Sequence, residues 1–391
     1  MKEEWREVHL RDICEFKYGK NLPESKRVPG KYKVYGSSSV TGTHNEFLVK
    51  GPGIIVGRKG TVGKVQYSKE DFFPIDTTYF VDIDSEQVNL LFLYYRLPLC
   101  GFEGMNSDAA IPGLNRTAAI NCKINLPSLS TQQKIANILS AYDDLIENNT
   151  KRIELLEEQA QLIYEEWFVR MKFPDYENTQ VDAETDLPEG WGYKKIGSLV
   201  EVTSSKRIFL SDYVEKGIPF FRGKEIILKS KNEPLNDRLY ITQEKFNTIS
   251  KKFGVPTTGD VLITAVGTLG YPYLVTEDDG DFYFKDGNLI WLKNDNKVLS
   301  SYLISCFKNE NFKARLNSIA IGSSQKALTI KSLKALNILL PYENLLEGFN
   351  DLVQPRFELI SKLQVQNRYL KEARDILLPR LMMGIIEIEK A

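Results

Sequence analysis

The chain has 391 residues, 42% of them hydrophobic and 26% charged, with a net charge of −1, which is ordinary for a soluble globular protein of two or three domains. The longest apolar stretch, residues 90–99, is broken by Arg96 and Pro98 and is too short to span a bilayer, and the start, Met1-Lys2-Glu3-Glu4-Trp5, lacks a basic-then-apolar signal. Cys14, Cys100, Cys122 and Cys306 form no CxxC pair, as expected of reduced thiols, so the sequence predicts a cytoplasmic protein without membrane contact.

The chain repeats itself. Residues 5–13 and 191–199 each open with a Trp. Val34-Tyr35, Ile54-Ile55-Val56, Lys64-Val65-Gln66-Tyr67 and Tyr79-Phe80-Val81 read as short strands, followed by a helix near residues 89–97. Residues 191–341 repeat that order with Ile218-Pro219-Phe220-Phe221, Val261-Leu262-Ile263, Tyr273-Leu274-Val275 and Leu289-Ile290-Trp291, then a helix near 301–309. Gly60-Thr61-Val62-Gly63 answers Gly267-Thr268-Leu269-Gly270, and Ile124-Asn125-Leu126-Pro127 answers Ile338-Leu339-Leu340-Pro341. The spacing between copies drifts from 186 to 207 to 214, which predicts small loop insertions in the second. Strands mixed with helices, without strict βαβ alternation, make each copy α+β. Two copies imply a pseudo-twofold molecule suited to a two-part target.

A long helical stretch follows each copy. Ile135, Leu139, Tyr142, Ile146, Ile153, Leu156, Ala160, Ile163 and Trp167 form a coiled-coil seam interrupted at Asn149, giving a rod of roughly 57 Å over residues 132–170. Phe349, Val353, Ile360, Leu363, Leu370, Leu377 and Leu381 form a second stripe, with Arg356, Asn367 and Arg374 on seam positions. Pro355 is expected to bend this helix or delay its start. Packing the two helices antiparallel, with one copy at each end, is the economical arrangement. Asn149 and Asn367 either fix its register from inside or face solvent at a loose point. The expected organisation is residues 1–130 and 191–341 as the two globular domains, 131–173 and 342–391 as the helices, and 174–190 as an exposed linker.

Charge is segregated along these segments. Residues 191–341 carry 22 basic and 15 acidic side chains, residues 1–130 carry 17 and 15, and residues 174–190 carry six acidic and none basic. A binder of nucleic acid needs a local basic face, not a basic total, so the net charge does not exclude one; segregation this mild also arises by chance. No catalytic constellation is present. His9 and His44 have no ligand-spaced partners for a metal, GxSxG and HExxH are absent, and so is the Asn/Asp-Pro-Pro-aromatic run of adenine methyltransferases. Residues 57–64 fail as a phosphate loop because Val65 follows Lys64, so a glycine-rich turn between two strands is the better reading.

The run from Leu126-Pro127-Ser128-Leu129-Ser130-Thr131-Gln132-Gln133-Lys134-Ile135 to Asp143-Asp144-Leu145-Ile146-Glu147-Asn148-Asn149 closely resembles the central helical region of type I restriction-modification specificity subunits. Leu162-Ile163-Tyr164-Glu165-Glu166-Trp167-Phe168, Leu187-Pro188-Glu189-Gly190-Trp191, Gly259-Asp260-Val261-Leu262-Ile263 and Ile376-Leu377-Leu378-Pro379-Arg380-Leu381 extend the resemblance over essentially the whole chain. It implies a non-catalytic, cofactor-free subunit that reads a split target in double-stranded DNA, one target-recognition domain per half, with the helices setting the spacer. It further implies assembly with two adenine-N6 methyltransferase subunits and two ATP-driven motor-nuclease subunits. A standalone DNA enzyme and a coiled-coil protein scaffold without sequence reading are the competing classes.

Base edges are read by side chains that make paired hydrogen bonds, chiefly Arg or Lys on guanine and Asn or Gln on adenine. The loop residues of that kind are Lys20, Arg27, Ser37, Ser38, Ser39, Arg58, Lys59, Asn115 and Arg116 in the first copy. In the second they are Lys206, Arg207, Arg222, Lys224, Ser323, Ser324, Gln325 and Lys326, although each is also a residue that an ordinary solvated surface carries. Residues 110–113 and 323–326 occupy matching places before Leu114 and Leu328. Most aromatic residues sit at strand positions and are expected in the core.

Overall fold

The computed structural model describes residues 5–105, 113–231, 233, 235, 237–322 and 326–386. The chain divides into two compact units, residues 1–146 with 369–391, and residues 147–368.

The first unit contains β1 (Arg6–His9), β2 (Cys14–Tyr18), β3 (Tyr32–Tyr35), β4 (Val40–His44), β5 (Gly53–Gly57), β6 (Val65–Ser68), β7 (Phe72–Pro74), β8 (Thr78–Ile83), α1 (Leu90–Arg96), α2 (Arg116–Ile120) and β9 (Lys123–Leu126). An antiparallel sheet in the order β2-β8-β5-β6 lies beside a small sheet β4-β3-β7, in which β3 and β7 are parallel, and β1 pairs with β9. The apolar run of β5 is buried at every position. Ile54 and Val56 enter the main core with Phe16, Phe92 and Leu93, while Ile55 points the other way, to Tyr35 and Phe72. A strand covered on both faces has no polar alternation to keep, which is why the sequence there is uniformly apolar.

The second unit contains β10 (Gly192–Lys195), α4 (Ile196–Leu199), β11 (Glu201–Thr203), β12 (Tyr213–Val214), β13 (Ile218–Phe221), α5 (Gly223–Ser230), β14 (Leu239–Ile241), α6 (Gln243–Phe253), β15 (Val261–Thr264), β16 (Pro272–Leu274), β17 (Tyr283–Phe284), β18 (Leu289–Lys293), α7 (Lys297–Lys308), α8 (Glu310–Ile319), α9 (Ile330–Ala335) and β19 (Asn337–Leu340). Its sheets run β11-β18-β15-β16 and β12-β14-β13-β17, with β13 and β17 parallel and β10 paired with β19. The topology of the first unit is therefore repeated with one added edge strand, β12, and β15 is again buried throughout. The added length is not mere loop. Between β13 and β15 the second unit inserts α5 and α6, where the first has only the hairpin strand β4 and a connection. Their buried faces, Ile226 on one side and Phe246 with Ile249 on the other, make two further apolar clusters.

Two long helices complete both units, α3 (Leu129–Tyr164), which continues into a π turn at Glu165–Val169, and α10 (Glu343–Met382). In the first unit Ile135, Ala136 and Leu139 of α3 share the core with Leu381 and Met382 of α10. In the second, Ala160, Tyr164 and Phe168 share it with Phe349 and Val353. Within each unit the two helices run antiparallel. Asn149 and Asn367 are buried, and the Asn149 amide donates to the Asn367 and Gln366 side-chain carbonyls, both at 3.0 Å. Both residues thus face inward, so the seam is polar at this point but paired. In the first unit Asp143 accepts from Arg374 (2.5 Å) and from the Tyr95 hydroxyl (2.5 Å), which accounts for the arginine on the second stripe.

Pro355 does not delay α10, which begins at Glu343 and runs through it. The ring lies on the exposed side, where water can satisfy the carbonyl that loses its donor, while Val353 and Ile360 on either side are buried. Residues 174–190 lie within the second unit and are largely exposed, and they are ordered by backbone hydrogen bonds from Asp182 to Leu187 (2.8 Å) and from Glu189 to Gln180 (2.8 Å). Among the described residues, no helix is long and apolar enough to cross a membrane.

Candidate nucleic-acid interface

The glycine turn after the central strand is built the same way in both units. The Gly63 N–H donates to the Gly57 carbonyl at 2.8 Å, and the Gly270 N–H to the Thr264 carbonyl at 2.8 Å. Gly63 and Gly270 have φ of 77° and 71°, and a Cβ on either would lie 2.7 Å from a packed side chain, Phe102 or Leu316. Left-handed backbone and close packing together require glycine. The residues after the strand, Arg58 and Ala265, donate through their backbone N–H to Thr77 (2.9 Å) and Asn288 (2.8 Å). Their carbonyls accept from Leu114 (2.8 Å) and Leu328 (2.9 Å), and Lys59–Gly113 and Val266–Ala327 form matching bridges. Helices α2 and α9 then start behind side-chain caps, Asn115 to the Ala118 N–H (3.1 Å) and Thr329 to the Ser332 N–H (3.0 Å).

A second loop meets this turn. A Cβ on Gly57 would fall 2.9 Å from the Ser37 carbonyl, so the exit of β3 lies directly against the glycine turn. In the second unit a Cβ on Gly223, just past β13, would stand 3.7 Å from Thr264 and 3.9 Å from the Asn288 carbonyl. One edge of each unit thus gathers the strand exit, the glycine turn and the segment before α2 or α9. Of the loop residues that the sequence singles out, Ser37, Ser38, Ser39, Arg58, Lys59, Asn115, Arg116, Arg222, Lys224 and Lys326 belong to or border these segments, while Lys20, Arg27, Lys206 and Arg207 lie on the loops after β2 and β11.

In the first unit the Arg58 guanidinium donates through Nε (3.2 Å) and Nη2 (2.7 Å) to the Asp76 carbonyl and lies 5.2 Å from the Tyr18 ring centroid. Arg116 donates to Glu15 (2.8 Å) and lies 5.9 Å from the same ring. Lys59 is exposed, and so are Ser38 and Ser39 at the β3–β4 turn, with Ser37 half-buried beneath them. Arg27 is turned inward to the Leu22 (3.3 Å) and Thr41 (2.6 Å) carbonyls and braces its own loop. Lys20 is exposed at the end of β2, its backbone N–H tied to Pro74 at 3.1 Å.

In the second unit Arg222 is clamped by the buried Glu225, with Nε donating to both carboxylate oxygens (3.1 and 3.0 Å) and Nη2 to one of them. The hydrogen bonds to Glu225 hold the Arg222 pKa above its ordinary value. Burial opposes ionisation of Glu225, but its bonds to Arg222 outweigh that and keep the carboxylate below its usual range. Arg207 reaches Asp286 at 3.2 Å from a largely exposed position, and Lys206 lies 4.7 Å from the Phe253 ring centroid. Lys224 and Lys326 are exposed. Ser323, Ser324 and Gln325, like residues 110–112, lie outside the described residues.

Two residues at these edges escape sequence reasoning. Tyr18 belongs by alternation to the inward row of Cys14 and Phe16, yet it is 52% exposed, because the strand ends there and the ring leaves the core to stack with Arg58. The Tyr79 ring centroid lies 5.1 Å from that of Tyr18, its hydroxyl donates to the Leu114 carbonyl (3.1 Å), and its phenol is pushed up to about 12, first by burial and then by Tyr18. Glu225 was legible in principle as an acid three residues after Arg222 at a helix start.

The family model for the type I restriction modification DNA specificity domain matches residues 2–158 and 188–347. The chain is 28% identical over 295 residues to the type I restriction enzyme MjaIX specificity subunit of Methanocaldococcus jannaschii, covering 73% of this chain and 66% of that protein. It is 21% identical to the MjaVIII specificity subunit of the same organism, covering 99% and 94%. A crystal structure of the type I restriction-modification S subunit from M. genitalium superposes with a TM-score of 0.64 at 18% identity, over 97% of this chain and 96% of that one, which establishes a shared fold. The duplicated strand-and-turn scaffold and the two long helices are thus features of a known group, and the chain belongs to the family of type I restriction enzyme specificity subunits.

Proposed function

We propose that this chain is the non-catalytic DNA-reading subunit of a type I restriction-modification complex and acts in the cytoplasm. Residues 1–130 and 191–341 each read one half of a split target, residues 131–173 and 342–391 set the unread spacer, and 174–190 connect them. Two adenine-N6 methyltransferase subunits carry out modification, and two ATP-driven motor-nuclease subunits carry out cleavage. The observation that carries the reading is that one scaffold occurs twice with different side chains at the same edge. Arg58 in the first unit stands where Ala265 stands in the second, and Arg116 where Ile330 stands, on matching backbone hydrogen bonds. A binder of one symmetric site would repeat those side chains.

For partner subunits, α3 offers Leu155 and Leu162, seven residues apart and 56% and 50% exposed. Methylation mapping in cells carrying the chain with its partner subunits tests the reading. A two-part motif with an unread gap, its half-sites centred about one helical turn or somewhat more apart, is expected. Methylation at a short contiguous site would contradict it.

A further inference from the structure

We infer that Arg58 and Arg222 each read a guanine in the major groove, one in each half of the target, and that the two units deliver this arginine to the same edge from different strands. The inference rests on the DNA-reading function proposed above and goes beyond it by naming a base and the side chain that reads it.

The guanidinium geometry carries it. An arginine reads guanine by aiming two N–H groups at O6 and N7, the two acceptors side by side on the major-groove edge; adenine offers one acceptor beside a donor at those places. Of the two forks on a guanidinium, Arg58 has its Nε–Nη2 side anchored on the Asp76 carbonyl, and Arg222 has the same side anchored on Glu225. Among the described residues, no hydrogen bond from Nη1 is found for either, which leaves the end-on Nη1–Nη2 fork for a base. The Arg58 guanidinium lies over the Tyr18 ring and is bonded to the Asp76 carbonyl, and the carboxylate of Glu225 is nearly fully buried, so both guanidinia are held before any DNA arrives. Holding a planar fork in advance removes much of the ordering cost of a two-bond contact.

For Arg222 the same geometry argues against phosphate anchoring. Glu225 offsets the charge of Arg222, which weakens its pull on an anion but leaves its N–H groups free to meet neutral acceptors. The other arginines at these edges lack the arrangement. Arg27 is committed from Nε and Nη1 to two separate carbonyls, Arg207 makes a single 3.2 Å contact at 71% side-chain exposure, and the partner of Arg116 is itself 58% exposed.

The delivery differs between units. Arg58 follows β5 on the glycine turn, and the neighbouring exit of β3 supplies only serines. In the second unit the turn supplies Ala265 and Val266, while Arg222 follows β13, the strand that corresponds to β3. Gly223 beside Thr264, and Ser37 beside Gly57, place both exits against their turns. Alignment of the two copies residue by residue therefore hides the correspondence.

The test uses the full chain assembled with its methyltransferase partners and a duplex pool randomised in both half-sites. Wild type is expected to select a guanine at one fixed position in each half. Arg58→Ala removes the donors that face the base, and it should relax that choice in one half alone by roughly 5- to 150-fold; Arg222→Ala should do the same in the other half. A second arm does not depend on variant folding: 7-deazaguanine at the selected position, which lacks N7, should weaken wild-type binding severalfold, whereas a variant without the side chain's donors, Arg58→Ala or Arg222→Ala, should no longer respond to it. A two-part wild-type motif without these guanines, or one left unchanged by both variants, overturns the inference and leaves the functional reading standing. A pool in which wild type selects no two-part motif overturns both.

Discussion

The two units share a scaffold and differ at its edge, and the two kinds of position obey different physics. In the scaffold the same restraint recurs at the same place. A buried central strand feeds a turn whose glycines have positive φ, the next backbone N–H and carbonyl are both satisfied, and a capped helix follows. These positions answer to burial and backbone geometry, which permit few residue types. At the edge the side chains answer to nothing inside the protein except the groups that hold them, so Arg58 with Tyr18 in one unit gives way to Ala265 with Arg222 and Glu225 in the other. The divergence is organised, because each unit rebuilds a held arginine by a different route.

The largest effects should come from breaking the scaffold of one unit and sparing the other. Phe349 and Ile135 occupy corresponding places where α10 and α3 enter their cores, and both are buried. Phe349→Ala should cost about 3–5 kcal/mol and Ile135→Ala about 2–5 kcal/mol, each confined to its own unit. Hydrogen exchange resolved by segment checks this; loss of protection in both units from either change would mean that the scaffolds are not independent.

A smaller effect probes how the helix pairs are pinned. The second unit uses the Asn149–Asn367 amides where the first uses Asp143 with Arg374 and Tyr95. Asn367→Ala takes from the buried Asn149 amide one of its two acceptors, leaving only Gln366, and should cost about 1–3 kcal/mol, seen as a lower unfolding midpoint for the second unit. A neutral outcome would mean that water replaces the lost partner.

Much of the fold was legible because it follows from periodicity. The seams of α3 and α10, the buried runs of β5 and β15 and the paired glycines all leave a signature in one dimension. Three features did not. The choice between buried and exposed Asn149 depended on whether Asn367 lay opposite, which spacing along one helix cannot tell. Pro355 sits within α10 because its ring faces outward while Val353 and Ile360 are buried, and tertiary packing overrides the local penalty. The growth of the second unit into α5 and α6 read as loop because their amphipathic faces are short. At the candidate site, the sequence offered a set of loop cations without distinguishing what holds each of them. Arg27 and Arg58 look alike in a list of loop cations, yet one braces its own loop and the other is held with a fork unused.

The central claim is that each unit reads its half-site alone. Replacing residues 191–341 with the corresponding domain of another family member, and mapping methylation in cells that also carry the partner subunits, tests it most directly. A new sequence in one half-site is expected, with the other half and the gap between them unchanged. A change in both half-sites would contradict it.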